Sequence, residues 1–519
     1  MSTEDVVSVA AGRNLDIQLS PQARHEMERS RELKWRLINE GQPIYGVTTG
    51  VGDSADRQIG LRKAAALQQT IIRKNLCGRG PEASPHVVRA MLLIRANCLS
   101  RGSSAVNPDV VDRLLALIRH DVLPVVPERG SVGASGDLIP LAYVAAVVMG
   151  EGEVRYQGTV RPTADVYREL SWEPVILEPK DGLALLNGTS FSAAFATLAL
   201  HAAARLAAAA EVCTAMASEA LLGNRGHFLP FIHEQRPHPG QVTSARHIAD
   251  LLRDSALALD HNQVIGLSEK LADGEFQRLR RSIQDRYSIR CAPQVIGVLR
   301  DTVAWAGRWV ETEINSSNDN PLFEASSGMV YSGGNFYGGH LAQAMDALKL
   351  AVANIADLLD RQLELLVDEK FNNGLPANLI VPRAADEWDA GLHHGFKGMQ
   401  LICSALTAEA LKTSGPASVF SRSTEAHNQD KVSMSALAGR EALATVDLVE
   451  EVAAIHLLAA CQASELRGTE HMSPRTRAIH RRVRELCSFV ERDRRMDRDI
   501  AAVVELLREG TTLDGTIPT

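Results

Sequence analysis

Three stretches of about thirty residues, 190–222, 340–370 and 437–466, are dense in Ala and Leu and poor in Gly and Pro. Straight-chain and small residues lose little rotamer freedom in a helix, so each stretch predicts one long helix. Thirty helical residues span about 45 Å. Ala-rich faces allow helices to approach closely, and only 4% of the residues are aromatic, so small aliphatics must fill the core. The fold expected is mainly α, a long-helix central bundle of parallel and antiparallel members.

The N-terminal region is more mixed. Residues 1–40 predict a short strand from Val6 to Val9, then a helix with Arg24, Glu28, Arg31 and Lys34 on its wet face. Helices are expected over 61–76, 87–100 and 108–120, and a buried one from Leu141 to Met149. Pro124 and Pro127 hold the chain extended ahead of residue 130. Residues 151–180 suggest strands and loops, and 470–519 short charged surface helices with a loose tail. The domains expected are a smaller N-terminal one, 1–190, and a helical bundle, 191–519.

Composition excludes several classes. The 519 residues carry a formal net charge of -8 and no basic run, so nucleic acid is not an expected partner. The acidic Met1-Ser2-Thr3-Glu4-Asp5 start has no apolar signal region. His201 and Arg205 interrupt the longest apolar stretch, so no membrane span is expected. Seven scattered Cys without CxxC pairs fit reduced thiols and a cytoplasmic location. His393, His394 and His427 lack metal-site spacing, so no metal is expected.

Gly130-Ser131-Val132-Gly133-Ala134-Ser135-Gly136-Asp137-Leu138-Ile139-Pro140-Leu141 is the segment with chemistry of its own. In a tight fold the Gly136 amide nitrogen can attack the Ala134 carbonyl carbon, and Gly permits both the approach and the unusual φ. Loss of water closes a five-membered ring, and loss of the Ser135 hydroxyl as a second water leaves an exocyclic methylene, an electrophile. The plain alternative is a turn before a helix with Asp137 as N-cap.

Other segments bear polar groups suited to an amino acid. Tyr45 sits in the Gly- and Thr-rich loop Ile44–Asp53, as a functional residue or a turn residue. Asn187 precedes Gly188 in a turn-like Asn-Gly-Thr. Arg290 follows Tyr287 in Gln284-Asp285-Arg286-Tyr287-Ser288-Ile289-Arg290, and a guanidinium grips a carboxylate with two parallel hydrogen bonds. Gly333-Gly334-Asn335-Phe336-Tyr337-Gly338 lacks the phosphate-loop pattern.

These segments, with Glu313–Leu322 and Ser423–Met434, resemble in order the histidine, phenylalanine and tyrosine ammonia-lyases and the related 2,3-aminomutases, from about Val7 to about Arg467. The resemblance implies an ammonia-lyase/fumarase-like fold. It implies a 4-methylidene-imidazol-5-one (MIO) built from Ala134, Ser135 and Gly136, with no added cofactor. Tyr45 would be the base on an inner lid. Asn187 would support the prosthetic group, Tyr287 would place a hydroxyl at the site, and Arg290 would hold the substrate carboxylate with Gln284 nearby. Leu138, Asn335 and Phe336 would line the pocket, and Glu425 and Gln429 would contact substrate. A phenolate at Tyr45 needs its pKa lowered, for which oriented amides, the Arg and a helix N-terminus are the expected means. The assembly implied is a homotetramer with active sites shared between three chains.

The substrate is less defined. The segment Leu67–Gly80 resembles the family's selectivity helix, which implies that Lys74 and Asn75 stand at the pair reading the far end of the side chain, where phenylalanine enzymes tend to show Phe-Leu, tyrosine enzymes His-Leu and histidine enzymes Ser-His. An ammonium offers three donors and no acceptor, which suits a phenol, catechol or carboxylate tip. Equally, Lys74 could pair with an internal carboxylate such as Glu425 or reach water. The Glu425-x-x-Asn428-Gln429 pattern follows the phenylalanine enzymes and puts Gln429 where histidine enzymes have an acid. The expectation is an aromatic L-amino acid, tyrosine-like before phenylalanine. A 2,3-aminomutase and a lyase for a non-aromatic side chain with a polar tip are the alternatives.

Overall fold

Eight helices precede the first long one in the computed structural model, which describes residues 1–266, 270–279 and 281–509. They are α1 (Thr3–Ala10), α2 (Pro21–Asn39), α3 (Leu61–Lys74), α4 (Pro85–Ser100), α5 (Pro108–Arg119), α6 (Leu138–Val148), α7 (Thr163–Leu170) and α8 (Asp181–Leu186). The long helix α9 (Ser190–Ala220) follows, then α10 to α13 (Pro230–Glu234, Pro239–Leu251, His261–Ile265, Tyr287–Arg290). Next come α14 (Ala292–Ile314), α15 (Gly339–Val367), α16 (Lys397–Thr413), α17 (Ser435–Arg467), α18 (Pro474–Leu486) and α19 (Asp497–Glu509). The fold is mainly α, and the three long helices read from composition are α9, α15 and α17.

Strands are few and short. Arg79–Glu82 (β1) pairs antiparallel with Pro127–Arg129 (β3). Leu123–Pro124 (β2), Glu153–Tyr156 (β4) and Thr159–Pro162 (β5) form a three-stranded antiparallel sheet in the order β2-β4-β5. Leu322–Glu324 (β6) pairs with Met329–Tyr331 (β7) in the register Phe323↔Val330.

Contacts divide the chain into two units. The first comprises 1–201, 306–347 and 416–443, and the second 202–305, 348–415 and 444–519. A single cut at 190 was expected, whereas four of these cut points fall inside α9, α14, α15 and α17. In the first unit the Gly439 position lies so close to Phe195 that an added Cβ would stand 3.0 Å from the Phe195 Cβ. In the second unit the Gln362 amide donates to Thr214 Oγ1 at 2.9 Å, and the run Val452–Leu458 is buried. Among the described residues α9 alone is long and apolar enough to cross a membrane, and most of it is buried within the protein.

Two local expectations are corrected. Val6 to Val9 belong to α1, not to a strand. The Ser2 hydroxyl accepts from the Asp5 amide while the Asp5 carboxylate accepts from the Ser2 amide, a capping box that starts a helix and buries Val6, Val9 and Ala10 on one face. Lys34 is not on the wet face of α2 but fully buried. Its ammonium lies 3.1 Å from Glu178, which also accepts from Arg31 and from the Trp35 indole. Helical residues beyond 470 are α18 and α19, and 510–519, the tail expected to be loose, lie outside the described residues.

Burial alone would raise the Glu178 carboxyl, but Arg31 and Lys34 override it and hold it down at about 2. A depressed carboxyl stabilises the fold above its unfolded value of about 4.3 and loses that contribution as pH falls toward 2. Glu178→Gln removes the carboxylate that lies 3.1 Å from the buried Lys34 ammonium and leaves only Asp181 nearby, so it is expected to cost about 3 kcal/mol at neutral pH. Thermal midpoints of the two proteins should converge between pH 5 and pH 2. A constant difference across that range contradicts the role assigned to the pair.

Candidate active site

The first unit contains a cavity of about 260 Å³. Seven separated segments build it. The loop after α2 brings Tyr45, Val51 and Gly52, and the end of α3 brings Ile71, Lys74 and Asn75. Ala134, Ser135 and Leu138 come from the start of α6, Leu183 and Asn187 from α8 and its end. Asn320, Phe336 and the turn from Glu425 to Lys431 complete the wall, except that Ala426 and His427 do not line it.

Gly136 fixes the central loop. Its φ is +72°, and a Cβ there would lie 2.2 Å from the Gly188 carbonyl oxygen. Only Gly meets both demands. The adjacent Asp137 amide donates to that same carbonyl at 2.7 Å. Asp137 stands at the N-cap position of α6, but its carboxylate does not cap that helix. It accepts from the Ser131 hydroxyl, the Ser192 hydroxyl and the Ser192 amide, each at 2.8 Å. Burial pushes the Asp137 carboxyl up, and these donors pull against it. Ser192 continues through Ser435 to Ser433, whose hydroxyl donates to the Gly133 carbonyl. The Ala134-Ser135-Gly136 segment is therefore clamped on both sides, with no room for a side chain at 136. That cradle fits a ring made from the segment itself.

Tyr45 reaches the cavity because its loop folds tightly on Thr48 and Thr49, which bond the Ile44 and Gly46 amides. Its phenol oxygen accepts from the Gly52 amide at 2.9 Å. The pKa outcome differs from expectation. Burial pushes Tyr45 up, the Gly52 amide pulls it down, and nearby Glu425 raises it further, so the net direction is upward. One oriented amide is present, and it does not outweigh lost water.

The Lys74 ammonium stands 3.9 Å from Glu425 Oε1, and both groups line the cavity. The internal pairing and the ligand-facing position thus coexist. The Asn75 amide donates back to the Ile71 carbonyl at 2.9 Å. Glu425, Ala426 and His427 are three consecutive left-handed residues, a strained turn of the kind found at functional sites. That turn carries Gln429 inward, where its amide donates to Ser135 Oγ at 3.3 Å.

Of the residues singled out from sequence, Tyr45, Lys74, Asn75, Ala134, Ser135, Leu138, Asn187, Phe336, Glu425 and Gln429 line this cavity. Asn335 does not: its side chain is exposed and donates to the Ser317 carbonyl. Gln284, Tyr287 and Arg290 belong to the second unit and are not part of the wall. There the Arg290 guanidinium lies 4.5 Å from the centroid of the exposed Tyr287 ring, and its buried Nε has no partner. Gln284 is exposed. Sequence reasoning missed Val51, Gly52, Ile71, Leu183, Asn320, Asp430 and Lys431. Ile71 lies one helical turn before Asn75 and Leu183 one before Asn187, a spacing that could have found both.

The aromatic amino acid lyase family model matches residues 1–485. A tyrosine ammonia-lyase from Cupriavidus metallidurans is 41% identical, covering 99% of this chain and 96% of its own. A histidine ammonia-lyase from Gloeobacter violaceus is 40% identical over 99% of this chain and 95% of its own. A solved tyrosine aminomutase from Streptomyces globisporus superposes with a TM-score of 0.93 at 35% identity, covering 99% of this chain and 96% of that one. The chain belongs to the aromatic amino acid lyase family.

Gly136→Ala is expected to lower the thermal midpoint by a few degrees, because it adds strain at positive φ and a contact with Gly188. An unchanged midpoint contradicts the clamp.

Proposed function

We propose that the protein eliminates ammonia from an aromatic L-amino acid with a polar tip, tyrosine before phenylalanine, and releases an α,β-unsaturated acid. The observation that carries this reading is the cavity that places Tyr45, Ser135 and the Lys74–Glu425 pair around one space of about 260 Å³. That is below the roughly 300–1,000 Å³ of pockets for drug-sized ligands and suits a single amino acid.

The apolar wall of Val51, Ile71, Leu138, Leu183 and Phe336 matches an aromatic ring. Lys74 supplies donors for a phenol oxygen at the far end. The methylidene-imidazolone, once formed from Ala134-Ser135-Gly136, supplies an electrophile for the substrate amine and makes its nitrogen a better leaving group. Tyr45 removes the β-proton as a phenolate, with the Gly52 amide holding its oxygen in place. Gln429 lies beside Ser135 and adds an amide to the polar end. In this reading Arg290, stacked on Tyr287 with one nitrogen unpaired, clamps the substrate carboxylate from another copy in a homotetramer.

A 2,3-aminomutase is the second reading, favoured by the likeness to solved aminomutases. It performs the same elimination and returns the amine to the β-carbon.

Incubation with L-tyrosine and mass analysis of the product tests the proposal. An acid lighter by one ammonia is expected. An isomer of unchanged mass with a β-amine makes the protein an aminomutase. Untouched L-tyrosine beside turnover of L-histidine or L-phenylalanine overturns the tyrosine preference. Tyr45→Phe should lose at least a thousandfold in kcat with the fold intact, and full activity would remove Tyr45 as the base. Because Tyr45 is pushed above the ordinary tyrosine value of about 10, its phenolate fraction rises with pH across the neutral range. kcat/KM is therefore expected to climb still between pH 8 and pH 9.5, and a plateau reached by pH 7 contradicts this base.

A further inference from the structure

Beneath the cavity lies a group of buried charges that the reaction above does not use. Lys180 and Asp319 are both fully buried, with Nζ 2.5 Å from Asp319 Oδ2. The other oxygen, Oδ1, accepts from the Asn320 amide at 2.7 Å and from Asn187 Nδ2 at 3.3 Å. Asn187 Nδ2 also donates to the Asn320 carbonyl at 3.0 Å. The Asn187 backbone is pinned separately. Fully buried Arg95 donates to the Asn187 carbonyl at 3.0 Å, to the Ala184 carbonyl, and to Asn318 Oδ1 at 3.2 Å. Gly188 leaves the room that guanidinium needs, since a Cβ there would lie 2.1 Å from Arg95 Nη1.

With the backbone held, the remaining freedom of Asn187 is which way its amide faces. Nitrogen and oxygen of an amide look alike in shape, so the partners decide. Both partners here, a carboxylate oxygen and a backbone carbonyl, can only accept. They take the two hydrogens of Nδ2 and leave Oδ1 as the atom presented to a ligand in the cavity that Asn187 lines. We propose that Asp319, with Lys180 as its counter-ion, is a positioning residue that orients Asn187 as a hydrogen-bond acceptor for the substrate's amino group. The role rests on the amino-acid reading of the cavity and adds to it a recognition element for the amine.

Asp319→Asn tests this because it keeps the shape and reverses the pattern. Lys180 can only donate, so it claims the new amide oxygen. The new NH2 then faces Asn187, which must turn its own oxygen toward it. The double variant Lys180→Met with Asp319→Asn frees that oxygen to face Asn187 again, and it buries no charge, so it folds even where the single variant does not. Two quantities are compared: kcat/KM for L-tyrosine, and KI for hydroxyphenylpropanoate, the saturated acid that lacks the amine. The single variant is expected to lose tenfold or more in kcat/KM, the scale of one hydrogen bond to a charged group, with KI within about threefold of wild type. In the double variant both quantities should stay within about threefold of wild type. General structural damage would weaken the amine-free acid as well. An unchanged kcat/KM in the single variant, a parallel rise in KI, or a tenfold loss in the double variant overturns the proposal. A wild-type protein that leaves L-tyrosine untouched contradicts the functional reading of the cavity instead.

Discussion

The hydrogen bond from the Asp137 amide to the Gly188 carbonyl joins the two loops that make the site. One loop opens α6 and carries Ser135, and the other opens α9 and carries Asn187. Neither loop has a sheet to hold it, so their mutual contact is what brings these residues to one wall. The contact demands Gly at 136, because any Cβ there would overlap the Gly188 peptide. The hydroxyl chain from Asp137 through Ser192 and Ser435 to Ser433 holds the outer side of the same loop. A segment restrained in this way would lose little further freedom on the ring closure proposed for it.

Burial pushes both Glu178 and Tyr45 up, and the outcome depends on what opposes it. At Glu178 two cations override it and hold the carboxylate charged. At Tyr45 a single amide does not, and the phenol stays above its ordinary value. The Tyr45 phenol is thus placed by geometry first, and the oriented Gly52 amide offsets only part of the lost water. Glu425 adds its charge on the unfavourable side, so its pairing with Lys74 matters to Tyr45 as well as to the end of the pocket.

Much of this was legible in the residues. Thirty residues of Ala and Leu without breakers leave little but a long helix, which is why α9, α15 and α17 stand where composition put them. The Ala134-Ser135-Gly136 segment, Tyr45, Asn187 and Gln429 were visible because they stand in segments that resemble those of one family in the same order; their own chemistry left a plain turn open at most of them. What was hidden depended on distance along the chain. Lys34 shares a helical face with charged residues, and nothing local reveals that Glu178 waits 144 positions away. Val6 and Val9 favour a strand by propensity, and a two-residue cap reversed that. Asn335 neighbours Phe336 in sequence, yet only Phe336 turns inward. Nothing local singles out Asp319, since its partners Lys180 and Asn187 are more than 130 residues earlier.

On the proposed function, the Ala134-Ser135-Gly136 loop closes on itself. The direct measurement is the mass of the peptide containing residues 130–141, released from the purified wild-type protein. A mass lower than that of the encoded sequence by two molecules of water is expected. A peptide at the encoded mass would contradict it.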